Sequence, residues 1–315
     1  MKLAALFMTH KNMGQVKHLL KFFENSGVEC FVHIDRKYKG DFLRARELLE
    51  RQSNVHVLVK RYSGTLSDWS LVRITMLLAE FAVEFADKNG LVFNCYGLFS
   101  GQDYPIKQWK DFWRALNQKE SGSFIDISRY GENGIADMFN KPRYWKIQNF
   151  LYTYIKNIYL RNLMKMPVYI IEKLLAAACG KPSNRLKKMG IDIFQCSAWW
   201  IINDMTIKWI LKEYKKGNSK YIKIIQNTTT PEEHFFQTMC MMSPWKKQFS
   251  IGDNKHIFCN FTPAGKPITG HPYTIQIEDI MKKEDWMDCP SYFFARKFDM
   301  ETDADAIEWI DKNIL

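Results

Sequence analysis

Residues 98–107 read LFSGQDYPIK, and this stretch decides how the first half of the chain is interpreted. An apolar run that begins at Leu91 enters the stretch as a buried strand and stops at Ser100. A short polar turn containing Asp103 follows, and Pro105 fixes the exit from that turn. A buried strand that ends in a small, acid-bearing turn indicates a strand tip at a ligand crevice.

Upstream of this stretch, apolar strands alternate with amphipathic helices over the first 120 residues. Strands are predicted at residues 2–8, 28–34, 55–59 and 91–98, and helices at 13–24, 42–49 and 66–85. This alternation predicts an α/β fold with a mainly parallel, Rossmann-like sheet and helices on both faces. The carboxyl ends of the strands in such a sheet form its ligand crevice.

Three polar tips follow predicted strands, at residues 9–11, 35–37 and 100–103. The predicted sheet places all three tips at one edge. Ordinary loop chemistry explains any single tip, because Asp, Ser and Gly end strands in many proteins. Three converging tips in a basic protein favour a binding site.

The chain has 315 residues and carries 45 Lys and Arg against 34 Asp and Glu, a formal net charge of +11. This length suits one large domain or two small ones, and we predict a single domain over residues 1–315. The basic balance favours an anionic partner such as a nucleic acid, a membrane surface or a phosphorylated small molecule. Nucleic acid is the least favoured of these, because the basic residues are dispersed and no groove-reading motif occurs.

The seven cysteines are scattered and form no CxxC pair, which indicates free thiols in a reducing compartment. No apolar stretch approaches the ~20 residues that a membrane-spanning helix needs. The N-terminus does not have the pattern of a signal peptide. These features predict a cytoplasmic protein.

Residues 139–180 interrupt the alternation, and we predict that they form a basic, aromatic-rich helical insertion. Within 139–176, Lys and Arg are mixed with Tyr, Phe, Trp, Leu and Ile, and acids are few. Two interpretations stay open: a soluble helix pair, or an amphipathic surface that lies peripherally on a membrane. The segment is too polar to span a bilayer.

Glu233 lies in the polar sequence TPEEH, residues 230–234, and it also has two interpretations. Thr230 can cap a helix that starts at Pro231, and Glu233 then occupies the capping-box position. Alternatively, the carboxylate is a general base.

Five segments occur in the order found in one enzyme family. They are FVHIDRK (31–37), LFSGQDYPIK (98–107), CSAWW (196–200), TPEEHFFQT (230–238) and FFARKFD (293–299). Together they resemble the core-2/I-branching β-1,6-N-acetylglucosaminyltransferases and the peptide O-xylosyltransferases, a family with many bacterial members. The resemblance implies a GT-A fold, an inverting mechanism and a UDP-sugar donor, with N-acetylglucosamine or xylose as the sugar.

Inverting transfer needs a base for the acceptor hydroxyl and positive charge on the departing diphosphate. Glu233 matches the family position of that base, and Lys297 matches the lysine of the family's KFD motif, preceded here by Arg296. The branching enzymes carry another arginine upstream, where this chain has His271. The role of that arginine therefore falls to His271 or to Arg296, or the diphosphate is held differently. The resemblance implies transfer without a metal, and the missing arginine leaves Mn²⁺ or Mg²⁺ as the alternative.

The resemblance also implies the remaining donor-side residues. The segments that match the uridine side contribute Met8, His10 and Asp35. The sugar pocket is expected to contain Ser100, Gly101, Gln102 and Asp103, with the Asp103 carboxylate facing it. A further strand is predicted at residues 196–203. Trp199 or Trp200 is expected to form an apolar wall, since alternation along this strand allows only one of them to point inward.

The acceptor side departs from the family. The glutamate that branching enzymes use for the acceptor is absent from residues 141–145, where Arg143 is the binding candidate. We therefore expect a glycan or lipid-diphosphate-linked acceptor rather than a mucin-type one. The leading hypothesis is a bacterial transferase of surface polysaccharide synthesis, peripheral on the inner membrane face. The alternative is a catalytically inactive glycan- or nucleotide-sugar-binding protein of the same fold.

Two further features have structural interpretations. Asp303 and Asp305 form a literal D-x-D motif, but they precede a terminal helix and are expected to cap it rather than to bind a metal. Trp69 also matches the family and is expected to be a buried core residue.

Overall fold

The computed structural model describes residues 2–24, 26–131, 139–141, 145–217, 219–252, 254–261, 267, 271–282 and 286–315. The first part of the chain forms β1 (Leu3–Thr9), α1 (Met13–Lys21), β2 (Glu29–Ile34), α2 (Phe42–Leu49), β3 (Val55–Val57), α3 (Trp69–Asn89), β4 (Cys95–Ser100), β5 (Asp103–Pro105), α4 (Trp109–Asn117) and β6 (Ser128–Arg129). The middle part forms α5 (Trp145–Tyr154), α6 (Ile158–Cys179), α7 (Pro182–Lys187), β7 (Phe194–Gln195), β8 (Ile201–Asn203), α8 (Asp204–Lys215) and α9 (Lys220–Ile225). A 3₁₀ helix (Pro231–Glu233), α10 (Phe235–Met242), a second 3₁₀ helix (Lys246–Gln248), β9 (Ile257–Cys259), α11 (Ile277–Met281), β10 (Phe294–Arg296) and α12 (Asp305–Asn313) follow.

The central sheet has the strand order β3-β2-β1-β4-β8. β1 pairs in parallel with β2 and β4, and β2 pairs in parallel with β3, whereas β8 is antiparallel to β4. The predicted mixed α/β fold with a mainly parallel sheet is confirmed. Because β2, β1 and β4 are adjacent and parallel, their carboxyl ends lie side by side.

β1 is buried on both faces of the sheet, which explains its unbroken apolar sequence. Leu3, Ala5 and Phe7 belong to the core cluster that includes α1. Ala4 and Leu6 belong to the cluster that includes α3, because successive side chains point to opposite faces. Each large apolar side chain buried in this way contributes about 1.5–3 kcal/mol to stability.

A second, smaller sheet brings the C-terminal part of the chain to the strand-end turn. Its order is β5-β10-β9, and β10 is antiparallel to β5. The register places Arg296 opposite Asp103. The turn that ends β4 therefore continues directly into β5, which pairs with the strand that leads into the basic C-terminal motif.

Some element boundaries differ from the predicted ones for identifiable reasons. β4 begins at Cys95 rather than Leu91, because the backbone and side chain of Asn94 are hydrogen-bonded to Lys2 (2.8 and 2.7 Å). α3 begins at Trp69 because the Asp68 carboxylate accepts a hydrogen bond from the Ser70 amide (2.8 Å) and caps the helix.

The strand predicted to begin at Cys196 is also shorter than expected, since β8 starts at Ile201. Cys196 instead donates its amide to the Glu233 carbonyl (2.9 Å), outside the central sheet. Residues 196–200 thus form a connecting segment between β7 and β8.

α5 and α6 occupy most of the segment predicted to be an insertion. No helix among the residues that the structure describes combines the length and apolar character needed to cross a membrane. All seven cysteines are free thiols.

Candidate active site

The tips of β1, β2 and β10 converge at the carboxyl edge of the central sheet. His10 is partly exposed at the end of β1 and interacts electrostatically with Asp35, Lys37 and Lys297. Partial burial lowers the pKa of His10; Asp35 opposes this change, whereas Lys11, Lys37 and Lys297 add to it. The crevice therefore collects positive charge from three separate parts of the chain.

Asp35 anchors the tip of β2 to the loop that precedes α3. Its carboxylate accepts hydrogen bonds from the amides of Lys37 and Gly64, both at 2.7 Å. The fit around position 64 is tight, because an added Cβ would lie 3.0 Å from the Asp35 carboxylate and would require that side chain to shift by a few tenths of an ångström. Met8 lies near the end of the neighbouring strand β1 and is half-buried. Its sulfur accepts a hydrogen bond from the Thr75 hydroxyl (3.8 Å).

The turn after β4 is stabilised by hydrogen bonds to the Asp103 carboxylate, which lies within the turn. The Asp103 carboxylate accepts hydrogen bonds from the Ser100 amide (2.7 Å) and hydroxyl (2.9 Å). Burial raises the pKa of Asp103, and the Arg296 charge opposes that change. Because Asp103 is only 1% exposed, the expectation that its carboxylate faces an open sugar pocket is wrong. Asp103 instead holds Ser100 through these hydrogen bonds and Arg296 through an ion pair.

Gly101 and Gln102 fix the same turn through the backbone. A Cβ at Gly101 would lie 2.7 Å from the Val16 side chain and 2.9 Å from the Thr9 hydroxyl, so a larger residue would force these side chains to shift. The Gln102 carbonyl accepts a hydrogen bond from the Phe298 amide (2.9 Å). These contacts explain why the strand stops here.

Arg296 lies between an aromatic ring and a carboxylate. Its guanidinium carbon is 3.8 Å from the centre of the Trp199 ring, and its Nε is 3.5 Å from Asp103 Oδ1. Arg296 is only 6% exposed, yet its Nε and Nη1 have no hydrogen-bond acceptor within the described part of the chain. Two buried guanidinium nitrogens thus lack an acceptor in the described structure, and buried donors of this kind are unusual outside functional or strained sites.

Lys297 extends this positive charge toward the crevice. It is half-buried, and its pKa is lowered by burial first and then by the charges of Arg296 and Lys11. Lys11 in turn pairs with the Asp299 carboxylate. Arg296 at the end of β10, Lys297 directly after it and Lys11 after β1 thus interact electrostatically as one group of cations.

The two tryptophans of the CSAWW segment lie in different environments, as expected, although residues 196–200 connect two strands rather than forming one. Trp199 is partly exposed and stacks on Arg296. Trp200 is 0% exposed, and its ring centre is 4.6 Å from that of Phe236 in the core. Trp200 is therefore a core residue and not part of the site.

Glu233 ends the short 3₁₀ helix that precedes α10. The capping-box interpretation is wrong, because the Thr230 side chain makes no capping hydrogen bond. The half-buried Glu233 carboxylate has no hydrogen-bond partner among the residues that the structure describes. Burial raises its pKa to about 7, so the group can gain or lose a proton near neutral pH.

Two hydrogen bonds join the Glu233 loop to the tryptophan segment. The Cys196 amide donates to the Glu233 carbonyl (2.9 Å), and the Gln237 side chain donates to the Ser197 carbonyl (2.6 Å). Because Trp199 in the same segment stacks on Arg296, the carboxylate and the basic cluster are connected through one short stretch of backbone.

Two predicted residues are less closely defined. His271 is exposed and lies two residues before Tyr273, whose carbonyl accepts a hydrogen bond from the Lys297 amide (3.4 Å). Arg143 lies outside the described residues.

Sequence reasoning missed Gln15, which links three parts of the site. Its side chain donates to the carbonyls of Gly101 (2.9 Å) and Phe298 (3.0 Å) and accepts from the Met300 amide (2.8 Å). The signal was present, because Gln15 is a polar residue on the apolar face of α1.

The acids of the D-x-D motif have the predicted structural role. Asp303 accepts hydrogen bonds from the amides of Ile277 (2.8 Å) and Ala306 (3.3 Å), and Asp305 opens α12. Trp69 is buried against Phe235, as expected. Among the residues that the structure describes, no group of three or more His, Cys, Asp or Glu side chains is arranged to hold a metal ion.

Comparison with known proteins gives two similarities. Residues 3–284 match the model of a family described as Core-2/I-Branching enzyme. A xylosyltransferase of Caenorhabditis briggsae, sqv-6, is 26% identical over 128 residues. That match covers 40% of this chain and 15% of the relative, so the chain corresponds to a small part of that protein's length.

Proposed function

Because the chain belongs to the Core-2/I-branching enzyme family of glycosyltransferases, we propose that it is an inverting enzyme with Glu233 as its general base. The observation that carries this proposal is the Glu233 carboxylate, which is half-buried, has no hydrogen-bond partner among the described residues and is joined through residues 196–199 to Arg296. The donor is a UDP-sugar and the acceptor is a hydroxyl of a glycan or a lipid-linked oligosaccharide.

In the proposed reaction, ionised Glu233 takes the proton of the acceptor hydroxyl. The hydroxyl oxygen forms a bond to the anomeric carbon while the bond from that carbon to the diphosphate oxygen breaks. The UDP that leaves carries an additional negative charge, which Arg296 and Lys297 stabilise. Fixed donors in a crevice are effective here because they need no reorganisation as the charge develops.

The uridine side of the donor is proposed to contact Met8, His10 and Asp35 at the tips of β1 and β2. The sugar lies toward Ser100, Gly101 and Gln102, with Trp199 as the apolar wall. His271 is proposed to stand where relatives carry an arginine for the diphosphate. N-acetylglucosamine and xylose are the proposed donor sugars, the second supported by the partial similarity to a xylosyltransferase.

We further propose that transfer needs no metal ion, with Arg296 and Lys297 replacing the cation. Arg296 stacks on Trp199, and Lys297 interacts electrostatically with Arg296 and Lys11, so several cations lie together here, which supports this assignment. Activity that is unchanged by EDTA is the expected result. Loss of activity in EDTA, restored by Mn²⁺ or Mg²⁺, would instead assign the diphosphate to a metal.

The proposed acceptor is linked to a lipid in surface polysaccharide synthesis, and the proposed location is the cytoplasmic face of a bacterial membrane. The support comes from α5 and α6, whose exposed side chains include Tyr159 (83%), Leu163, Met166, Ile170 and Leu174. Such a surface is large for a protein that contacts only water.

The charges on the same helices complement an anionic bilayer. The basic residues of α5, α6 and their connection are Lys146, Lys156, Arg161, Lys165 and Lys173. The acid in this range, Glu172, is buried and accepts a hydrogen bond from Gln148 (3.2 Å). Apolar side chains ringed by Lys and Arg are typical of a helix that lies in a membrane interface.

Flotation with vesicles tests the membrane contact. The wild-type protein is expected to bind phosphatidylglycerol vesicles at low salt, and a double variant, Leu163→Gln with Ile170→Gln, is expected to stay unbound. Val92→Gln is the matched control, since Val92 is 70% exposed on another part of the surface. Equal binding of all three proteins would show that α6 is not the surface that contacts the membrane.

The substitution Glu233→Gln tests the catalytic proposal. It removes the base and keeps the size of the side chain, so transfer and donor hydrolysis are expected to fall by about 10²–10⁴-fold. Donor binding, measured as a thermal shift with UDP, should persist. If the wild-type protein binds UDP-sugars but neither transfers nor hydrolyses any of them, the protein is an inactive binding protein of this fold.

A further inference from the structure

Two hydrogen bonds join the loop that carries Glu233 to the loop that precedes α3. The Thr230 amide donates to the Ser67 carbonyl (3.2 Å), and the Ser67 amide donates to Glu232 Oε1 (3.1 Å). Ser67 and Thr230 both have left-handed backbone conformations, with φ of 59° and 53°. Residues other than glycine keep such conformations only where the surroundings hold them.

The Glu232 side chain takes part in one of these two hydrogen bonds and is nearly inaccessible to solvent. It is 9% exposed, and its second oxygen, Oε2, is buried without a hydrogen-bond partner in the described part of the chain. A carboxylate with one buried, unbonded oxygen is poorly solvated in the ionised form. The neutral acid, whose carbonyl oxygen accepts from Ser67, suits this environment better.

The groups around Glu232 also favour its neutral form. The charged neighbours that act on it are acidic, namely Glu233 and Asp68. His234 supplies no positive charge at neutral pH, because burial lowers its pKa to about 4 and its Nδ1 is bonded to the Thr230 carbonyl. Burial, together with these acids, raises the pKa of Glu232 to about 8.

We propose that Glu232 is a positioning residue that stays protonated at neutral pH, holds the Glu233 loop to Ser67, and leaves the negative charge of the pair to Glu233. Adjacent carboxyls that share a low-dielectric site do not both ionise easily. The more exposed Glu233 ionises first and acts as the base, whereas the buried Glu232 keeps the loop in place. This inference rests on the proposed function, in which Glu233 takes the acceptor proton.

The test compares Glu232→Gln, Glu232→Met and Glu233→Gln in the full-length protein with a UDP-sugar. Gln keeps an oxygen for the Ser67 amide and cannot ionise, so kcat at pH 7 should stay within about threefold of wild type. The wild-type rate should fall above about pH 8 as Glu232 ionises beside Glu233, and this alkaline decline should be absent in Glu232→Gln. Met removes the acceptor, so kcat should fall by about tenfold or more while KM for the donor changes little.

The two possible failures are distinguishable. If Glu233→Gln is fully active, the proposed function itself is wrong, whatever the Glu232 variants do. If Glu233→Gln is inactive but Glu232→Gln is equally inactive, Glu232 works as an ion and the positioning proposal is overturned. An alkaline decline that persists in Glu232→Gln also overturns it, and that readout does not depend on whether Glu232→Met folds.

Discussion

At the scale of single residues, the site depends on carboxyl groups placed in different environments. Asp103 and Asp35 are bound by amides and fix the backbone. Glu233 has no such partner among the described residues, and burial alone raises its pKa to about 7. A group that changes protonation near the working pH is well suited to general base catalysis.

The pKa of Glu233 predicts the acid limb of the pH profile. Below about pH 7 the carboxyl is protonated and cannot accept a proton, so kcat/KM should rise with pH through that value. Glu233→Asp should keep an acid limb at reduced activity, because a carboxylate is still present but lies farther from the acceptor. A profile that is flat between pH 5.5 and 8.5 in steady-state measurements would contradict the assignment of the base.

Arg296 gives a second prediction at this scale. Lysine at this position retains the charge but loses the planar fork and the stack on Trp199, so Arg296→Lys should lower kcat/KM by about 10–100-fold. Arg44→Lys is the matched control, since the Arg44 side chain is 88% exposed in α2, and it should behave like wild type. Equal kinetics in the two variants would show that charge alone suffices at position 296.

At the scale of elements, α1, the turn after β4 and the segment after β10 are held together by one amide side chain. Gln15 is 2% exposed and makes hydrogen bonds to all three. Because the turn follows a strand of the central sheet and residues 298–300 follow β10 of the small sheet, this side chain fixes the basic motif against the strand ends.

Gln15→Ala should therefore destabilise the protein by about 2–4 kcal/mol, because it leaves buried backbone groups without partners. Activity should fall as well, since Arg296 and the Ser100 turn lose their common support. Gln118→Ala, at an exposed position after α4, is the control and should change stability by less than about 0.5 kcal/mol. Urea unfolding measures both variants, and equal stability would contradict a linking role for Gln15.

The sequence predicts these elements unevenly. β1, β2, α2 and α3 were predictable because their apolar periodicity is strong and their partners are near in sequence. The small sheet was not, because β5, β9 and β10 have three residues each and pair across long separations. The same limit explains why Asp103 was assigned to a sugar pocket, since its burial depends on Arg296, which is distant in sequence.

At the scale of the whole molecule, the buried acids of the site link folding stability to pH. Burial raises the pKa of Glu232 to about 8 and that of Glu233 to about 7, both from an ordinary value of 4.5. The unfolded chain loses these two protons near pH 4.5, whereas the folded protein keeps them up to higher pH. Their contribution to stability is therefore complete below about pH 4.5 and is lost as pH rises toward 8.

Compared with Glu232→Gln, the wild-type free energy of unfolding should fall by about 1–3 kcal/mol more between pH 5 and 8. Denaturant unfolding at the two pH values gives the comparison, and the variant removes one of the two titrating groups. Identical pH dependence in the two proteins would mean that Glu232 ionises as easily in the folded protein as in the unfolded chain.

Whole-molecule function was predictable only to the level of the enzyme family. The order of five short segments indicated the family, and the match of residues 3–284 to the family model shows it. The proposed acceptor side comprises the residues around 141–145 and the surface of α5 and α6, where spacing alone does not specify a ligand. The proposed donor side lies at strand ends, whose position follows from the topology.

The contact between Trp199 and Arg296 gives the protein a built-in optical reporter. Indole emission responds to a nearby charge, and the guanidinium lies 3.8 Å from the ring centre. A nucleotide diphosphate that neutralises this guanidinium would change the emission of one tryptophan, and the change would disappear in Trp199→Phe. Nucleotide binding in the crevice can then be measured by tryptophan fluorescence, without a labelled sugar and before any acceptor is known.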